Sequence, residues 1–355
     1  MPPAMADDDM DARIRDLVAA HLASHATASD AGGLAVAVYT AGQTRFFNYG
    51  FADQVTKRAI TSDTLFNLAS LRKLFEATLV ALGVVRGELS LDDPVTKYVP
   101  ELHGDYLGRV TIGQVVTHTS GLLLPTDHPP WPNDSYTLAQ FLSMLNAWTP
   151  QAGEAPGKQR IYTHAGYVLL QLVLERRYGL PIRELIASRI LKPLAMHATF
   201  LPERRLDNRA IMPAELLQET VQGYSDQGTA IGPPGGQQSY FDFPGTGQMF
   251  SSAHDLAIFV AACLDGEGVD PRLRAALQMT TREAFRVSEK FGQAMAWETV
   301  HFDGVEIIDK PAGLNNASGY IGLVPAKKIG IVLLANRGNF PHENARYQVL
   351  PALSR

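Results

Sequence analysis

The chain has 355 residues, 46% of them hydrophobic and 19% charged, enough apolar material for one large domain or two lobes. A net charge of −5 without a basic stripe argues against nucleic acid or an anionic membrane as main partner. One cysteine excludes an intrachain disulfide, no apolar run is long enough to span a bilayer, and the ten histidines form no H-E-x-x-H or comparable spacing, so neither metal nor other cofactor is expected.

In chain order, Ala4-Met5-Ala6 ahead of Asp7-Asp8-Asp9 has the small-x-small form of a signal-peptidase site, without the charged and apolar regions that precede one. If it is the remnant of a trimmed leader the protein is periplasmic or secreted; otherwise it is cytoplasmic. Residues 11–25 read as a helix with Ile14, Leu17, Val18 and Leu22 on one face. Residues 34–39 and 44–50 read as strands joined around Ala41-Gly42-Gln43, which predicts a hairpin. The irregular stretch 61–64 gives way to the amphipathic spacing Leu71, Leu74, Phe75, Leu79 and Leu82, a helix from Ser70 with Asp63 and Thr64 as local caps.

From about Ala81 to Asp265 helical patterns alternate with Gly-, Pro- and Asn-rich loops such as 121–134 and 228–247. Three helices stand out: 165–177, 182–190, and 253–264 after the cap-like Ser251-Ser252; Cys263 in the last reads as a buried small apolar residue. Strand patterns return at 293–300, 304–310, 318–324 and 329–335, followed by a helix over about 344–353. The arrangement predicts an α/β (α+β) fold: a mixed antiparallel sheet built from both termini and flanked by helices, with a mostly helical lobe inserted. The expected unit is one domain over residues 7–355, its sheet lobe at about 7–68 and 280–355 and its helical lobe at about 69–279.

Ser70-Leu71-Arg72-Lys73 carries the chemistry. Residues three apart on a helix share a face, so the Ser70 hydroxyl and Lys73 amine can touch, and a helix N-terminus favours negative charge on the serine oxygen. Alone, S-x-x-K is also an ordinary helix start with a solvated lysine. Tyr162-Thr163-His164 before a helix, and Asp309-Lys310-Pro311-Ala312-Gly313 on a strand, supply two more pieces. Taken singly, Tyr162 is a core tyrosine and Lys310 a surface lysine.

With these in order, and with Thr117-His118-Thr119-Ser120-Gly121-Leu122, Arg86 to Val95 and Phe250 to Ala257, the chain resembles the serine β-lactamase and penicillin-binding-protein superfamily, most closely class C β-lactamases and their esterase and peptidase relatives. The resemblance implies a serine hydrolase that forms an acyl-enzyme on Ser70, with Lys73 and Tyr162 exchanging its proton and Lys310 and Lys73 together favouring the Tyr162 phenolate. It implies an oxyanion hole from the backbone N–H groups of Ser70 and Gly313. His164, Pro311, Tyr224 and Arg346 would meet substrate. Bland alternatives remain for three of them: a structural histidine at 164, a packing tyrosine at 224, a helix-end surface arginine at 346. His118 and Ser120 would shape the lobe, and Trp297 would be core.

Two positions depart from the family pattern. His164 stands where an asparagine amide is usual, and a neutral imidazole donates only one hydrogen bond while a protonated one would repel Lys73. Pro311 stands where a threonine hydroxyl is usual, although proline is tolerated on a strand edge facing a cleft. The implied substrate is a small-molecule amide or ester, a β-lactam first, handled by a monomer. An esterase, peptidase or acyltransferase is the alternative, and a penicillin-binding sensor that stays acylated is a second.

Overall fold

In the central strands side chains alternate between two helical layers, so both faces of the sheet are buried. The computed structural model describes residues 7–23, 32–124, 137–151, 153–204, 210–211, 213–232 and 249–355. The Ala4-Met5-Ala6 motif, the end of the predicted first helix at 24–25, and loop stretches 125–134 and 233–247 lie outside the described residues.

Among the described residues nine strands form one sheet: β1 Gly33–Thr40, β2 Gln43–Asp53, β3 Arg58–Ala59, β4 Phe285–Ser288, β5 Phe291–Gln293, β6 Glu298–Phe302, β7 Val305–Gly313, β8 Ser318–Val324 and β9 Ile329–Ala335. Their order is β3-β2-β1-β9-β8-β7-β6-β5-β4, every neighbour antiparallel. Strands from the two ends of the chain thus meet at the centre, with Leu34 opposite Ala335 and Tyr39 opposite Gly330. Leu34, Val36 and Val38 pack with Ile14 and Val18 of helix α1 (Asp7–His21) and with Val349 and Leu350 near the C-terminus. Ala35, Ala37 and Tyr39 face the larger core, which also holds Leu256, Phe259 and Val260 of the helix Ala253–Leu264. The antiparallel sheet drawn from both termini, flanked by helices, is the fold the sequence predicts.

The differences are local. Helix α1 begins four residues before the predicted start. The predicted helix 182–190 is Ile182–Ile186 continued by a π-helical turn, Ala187–Leu191. Leu138–Ala147, closed by a Thr137–Gln140 capping box, and Pro271–Thr280, capped by Asp270, went unpredicted although each carries a cap signal. Cys263 is only partly covered, and desolvation pushes its thiol upward. Ser70 lies in a 3₁₀ turn, Ala69–Leu71, ahead of α2 (Arg72–Val85). Asp63 and Thr64 do not cap α2: its N-cap is Leu71, with no side-chain cap, while Thr64 Oγ1 accepts from the Thr61 N–H. Nor is α2 a half-solvated amphipathic helix. Arg72 through Gly83 are all buried, so its polar residues face protein rather than water.

Candidate active site

The turn that presents Ser70 is built on one unusual backbone angle. Ala69 adopts a left-handed φ of 47°, and the Asn67 side chain accepts its N–H at 2.7 Å. Such a conformation costs a non-glycine residue roughly 1–3 kcal/mol and persists where the surroundings impose it. Those surroundings include Gly319 on β8, where an added Cβ would lie 2.8 Å from a Leu71 methyl carbon. The glycine lets the Ser70 turn close on the sheet beside β7.

Ser70 Oγ receives two hydrogen bonds, from Tyr162 Oη at 2.9 Å and from Lys73 Nζ at 3.4 Å. Lys73 is fully buried, its ammonium 5.4 Å from the ring centroids of both Tyr162 and Tyr167. Just before it, Arg72 donates through Nε and Nη2 to Glu76, one turn further on, at 3.0 and 2.8 Å, and through Nη2 to Gln171 at 2.5 Å. Burial pushes the Glu76 carboxyl up against the pull of Arg72 and Lys73. This pairing anchors the first turn of α2 under the lysine.

Tyr162 stands just before the helix His164–Tyr178, whose Thr163 cap accepts the Gly166 N–H at 3.0 Å. Lys310, 2% exposed on β7, sets its ammonium 4.5 Å from the Tyr162 ring centroid. Burial pulls the Lys310 amine down, while Tyr162 and Glu298 push it back up. His164 is held well below the usual histidine range by burial and by the charges of Lys73 and Lys310. The neutral imidazole is therefore favoured over the protonated form that would repel Lys73.

Ser70, Tyr162, His164, Lys310, Pro311 and Gly313 line one open cleft of about 510 Å³. The β6 partnership of β7 stops at Glu298–Asp309, so residues 310–313 pair with β8 alone and present a free edge to the cleft. Pro311 can occupy that edge because the missing N–H has no strand to bond on that side. Gly313 sits at its end, opposite Ser318.

Two predicted substrate residues lie elsewhere. Arg346 is neither a surface arginine nor a member of the cleft wall: it grips Asp309 through Nε at 2.6 Å and Nη2 at 2.9 Å, and Glu298 through Nη2 at 3.0 Å. Tyr224 is 3% exposed, and its hydroxyl accepts the Gln54 N–H at 2.7 Å, a packing position outside the cleft lining. The cleft instead includes residues that the sequence reading passed over: Arg160, Glu298, Asn339, Phe340 and His342. Arg160 donates to Gln293 and Glu298, both at 2.9 Å, and lies between the rings of Tyr162 and Phe291. Its available signal was position: two residues before Tyr162 in an extended stretch puts both side chains on one side. Among the described residues no group of three or more His, Cys, Asp or Glu is arranged to hold a metal, and no helix is long and apolar enough to cross a membrane.

The comparisons with known proteins agree with this geometry. A family model described as Beta-lactamase matches residues 10–354. A β-lactamase from Pseudomonas fluorescens is 26% identical over 91% of this chain and 94% of its own length. A solved class C β-lactamase superposes with a TM-score of 0.82 at 26% identity, covering 99% of this chain and 97% of the other. A D-alanine carboxypeptidase from Burkholderia cenocepacia gives 0.79 at 27% identity over 98% and 99%. A serine under a tyrosine and a buried lysine, a facing strand edge ending in glycine, and a family match over nearly the full length converge: the chain belongs to the beta-lactamase family.

Proposed function

We propose that the protein is a serine hydrolase that opens a β-lactam or a related amide through an acyl-enzyme on Ser70. The observation that carries this reading is the double hydrogen bond on Ser70 Oγ, from Tyr162 at 2.9 Å and Lys73 at 3.4 Å, at the floor of the cleft. Attack joins Oγ to the carbonyl carbon and breaks the amide C–N bond. The serine proton passes through the Tyr162–Lys73 pair to the leaving nitrogen. Water then repeats the sequence in reverse on the ester. The Ser70 and Gly313 N–H groups take the oxyanion, and Lys310 supplies positive charge beside Tyr162. The unit of action in this reading is the monomer. The cleft falls between Ser70, Tyr162 and His164 of the mainly helical lobe and residues 310–313 and 338–342 of the sheet lobe.

Pre-steady-state kinetics with nitrocefin and p-nitrophenyl acetate, side by side, test the reading. A burst of one equivalent followed by turnover of nitrocefin is expected. Turnover of the ester alone would make the protein an esterase, and a burst without turnover would make it a penicillin-binding sensor.

Specificity gives a second expected result. Neutral His164 offers one donor where an amide would offer two, and Pro311 offers none where a hydroxyl would meet a carboxylate. A hydrogen bond is worth about 0.5–1.5 kcal/mol between neutral groups and about 1.5–3 kcal/mol to a charged one. Penicillins and cephalosporins should accordingly be weak substrates beside small activated esters. Restoring His164→Asn and Pro311→Thr together should raise kcat/KM for nitrocefin over that for p-nitrophenyl acetate by roughly tenfold or more. A double variant with no gain on nitrocefin removes these two positions from substrate selection.

A further inference from the structure

We infer that His118 is a positioning residue for Tyr162, holding the phenol against Ser70 from the side away from the cleft; the inference rests on the acyl-enzyme reading above. His118 follows the short helix Ile112–Val116, is 1% exposed, and takes a left-handed φ of 56°. That backbone is costly for a non-glycine residue and is found where a structure needs a side chain aimed one way. The segment around it is braced on several sides. Tyr167 Oη donates to Val116 O at 2.8 Å, Tyr106 Oη to Ser120 O at 3.0 Å, Thr119 N to Gln114 O at 2.8 Å and Gly157 N to Thr119 O at 2.7 Å.

From this rigid seat His118 grips the chain on both sides of Tyr162. Its carbonyl accepts the Ile161 N–H at 2.7 Å, and its Nδ1 accepts the Thr163 N–H at 3.4 Å. Between those two bonds its ring lies 4.3 Å, centroid to centroid, from the Tyr162 ring and 5.0 Å from that of Tyr167. Residue 162 is thus fixed through the backbone on either side and through its own ring. An Nδ1 that accepts must belong to a neutral imidazole with its proton on Nε2. The surroundings enforce that state: burial first, then the charges of Lys310, Lys73 and Arg160 and the neighbouring His164, all disfavour a second proton. Nε2 is buried without a hydrogen-bond partner among the described residues, so within them the Thr163 bond is the side chain's one hydrogen bond. The position asks for three things: an acceptor, a flat ring and tolerance of a left-handed backbone. Misplacing a proton-transferring group by about 1 Å can cost on the order of 100-fold in rate.

The test is a double-mutant cycle on the full chain, reading the acylation rate constant, KM and Tm with p-nitrophenyl acetate. His118→Leu should slow acylation by roughly 10- to 100-fold with KM nearly unchanged. His118→Asn keeps an acceptor at the Nδ1 position and suits a left-handed φ, so it should recover most of that loss. In the Tyr162→Phe background neither substitution should slow acylation further, because the oxygen being positioned is gone. An equal loss in both backgrounds, or an effect confined to KM, overturns the inference. Should the leucine variant fail to fold, His118→Phe keeps the ring and lacks the acceptor, and it replaces leucine in the cycle under the same criterion. Wild-type acylation by Tyr162→Phe itself would instead overturn the role given to Tyr162, and this inference with it.

Discussion

Lys73→Ala is expected to lower the acylation rate constant by roughly 10³-fold or more, the scale seen when one member of a nucleophile–base unit is removed. The lysine is fully buried and its Nζ lies 3.4 Å from Ser70 Oγ, so in the proposed mechanism the alanine variant loses both a charge and a proton carrier beside the nucleophile. It also takes a cation away from Glu76, whose carboxyl burial already pushes up, and part of the effect would then be structural. Lys73→Met keeps the side chain's length and separates the two: its Tm should stay nearer the parent while acylation stays low. Labelling with a fluorophosphonate, followed by mass spectrometry of peptides, should place the adduct on Ser70 in the parent and leave Ser70→Ala unlabelled. Near-normal acylation in both lysine variants removes Lys73 from the chemistry, and an adduct on any other residue removes Ser70.

Arg346→Met should destabilise the fold by about 3–5 kcal/mol, the usual consequence of breaking a buried ion pair from one side. Asp309 has no exposed surface, and burial outweighs Arg346 in pushing its carboxyl up to about 6. Tyr320 Oη, at 2.8 Å, and Arg346 are its partners. A carboxyl whose folded value lies above its unfolded one binds extra protons in the folded state, so stability from this group falls as pH rises from about 4 to about 6. Removing Arg346 raises the folded value further and widens that window upward. The variant's deficit should therefore be largest near pH 8 and shrink toward pH 5, as urea unfolding at several pH values would read. KM should change little, since the guanidinium lies outside the cleft lining. A raised KM at parental Tm would return Arg346 to substrate binding.

How far the sequence could be read follows from where each signal originates. The β1–β2 hairpin, β8 and β9 were legible because their patterns are local and their turns contain Gly, Pro or Lys. Residues 293–300 were misread as one strand. The chain breaks after Gln293, turns through Ala294–Trp297 with Ala296 at a φ of 64°, and resumes at Glu298. Nothing in Ala-Met-Ala-Trp announces a turn. It is imposed from afar by Ala296 N bonding Val116 O, Met295 N bonding Thr280 O, and the Gln293 amide stapling Ala294 O and Trp297 O.

The site divides the same way. Ser70, Lys73, Tyr162 and Lys310 were readable as motifs, and the structure brings them together: Ser70, Tyr162 and Lys310 line the cleft, and Lys73 is buried beside Ser70. Arg346 was misread because its partner is a carboxylate 37 residues upstream on another element, which spacing along the chain cannot reveal. Arg160 and Glu298 went unread for a similar reason: their pairing spans 138 positions.

The sheet's centre has a consequence for how the protein acquires its shape. β1 has β9 as one of its two neighbours, and the Gly33 N–H closes on Asn336 Oδ1 at 2.7 Å, a pairing 303 positions apart. During synthesis the β1–β2 hairpin waits with one edge unpaired until β9, the last strand of the sheet in sequence order, is made. Loop closure over such a distance is slow, and the exposed apolar edge invites pairing with other chains in the interval. Ser70 is translated long before the strand edge that faces it, residues 310–313. Catalytic competence therefore waits for that edge, and any truncation that removes β9 takes away the strand that joins the hairpin to β8.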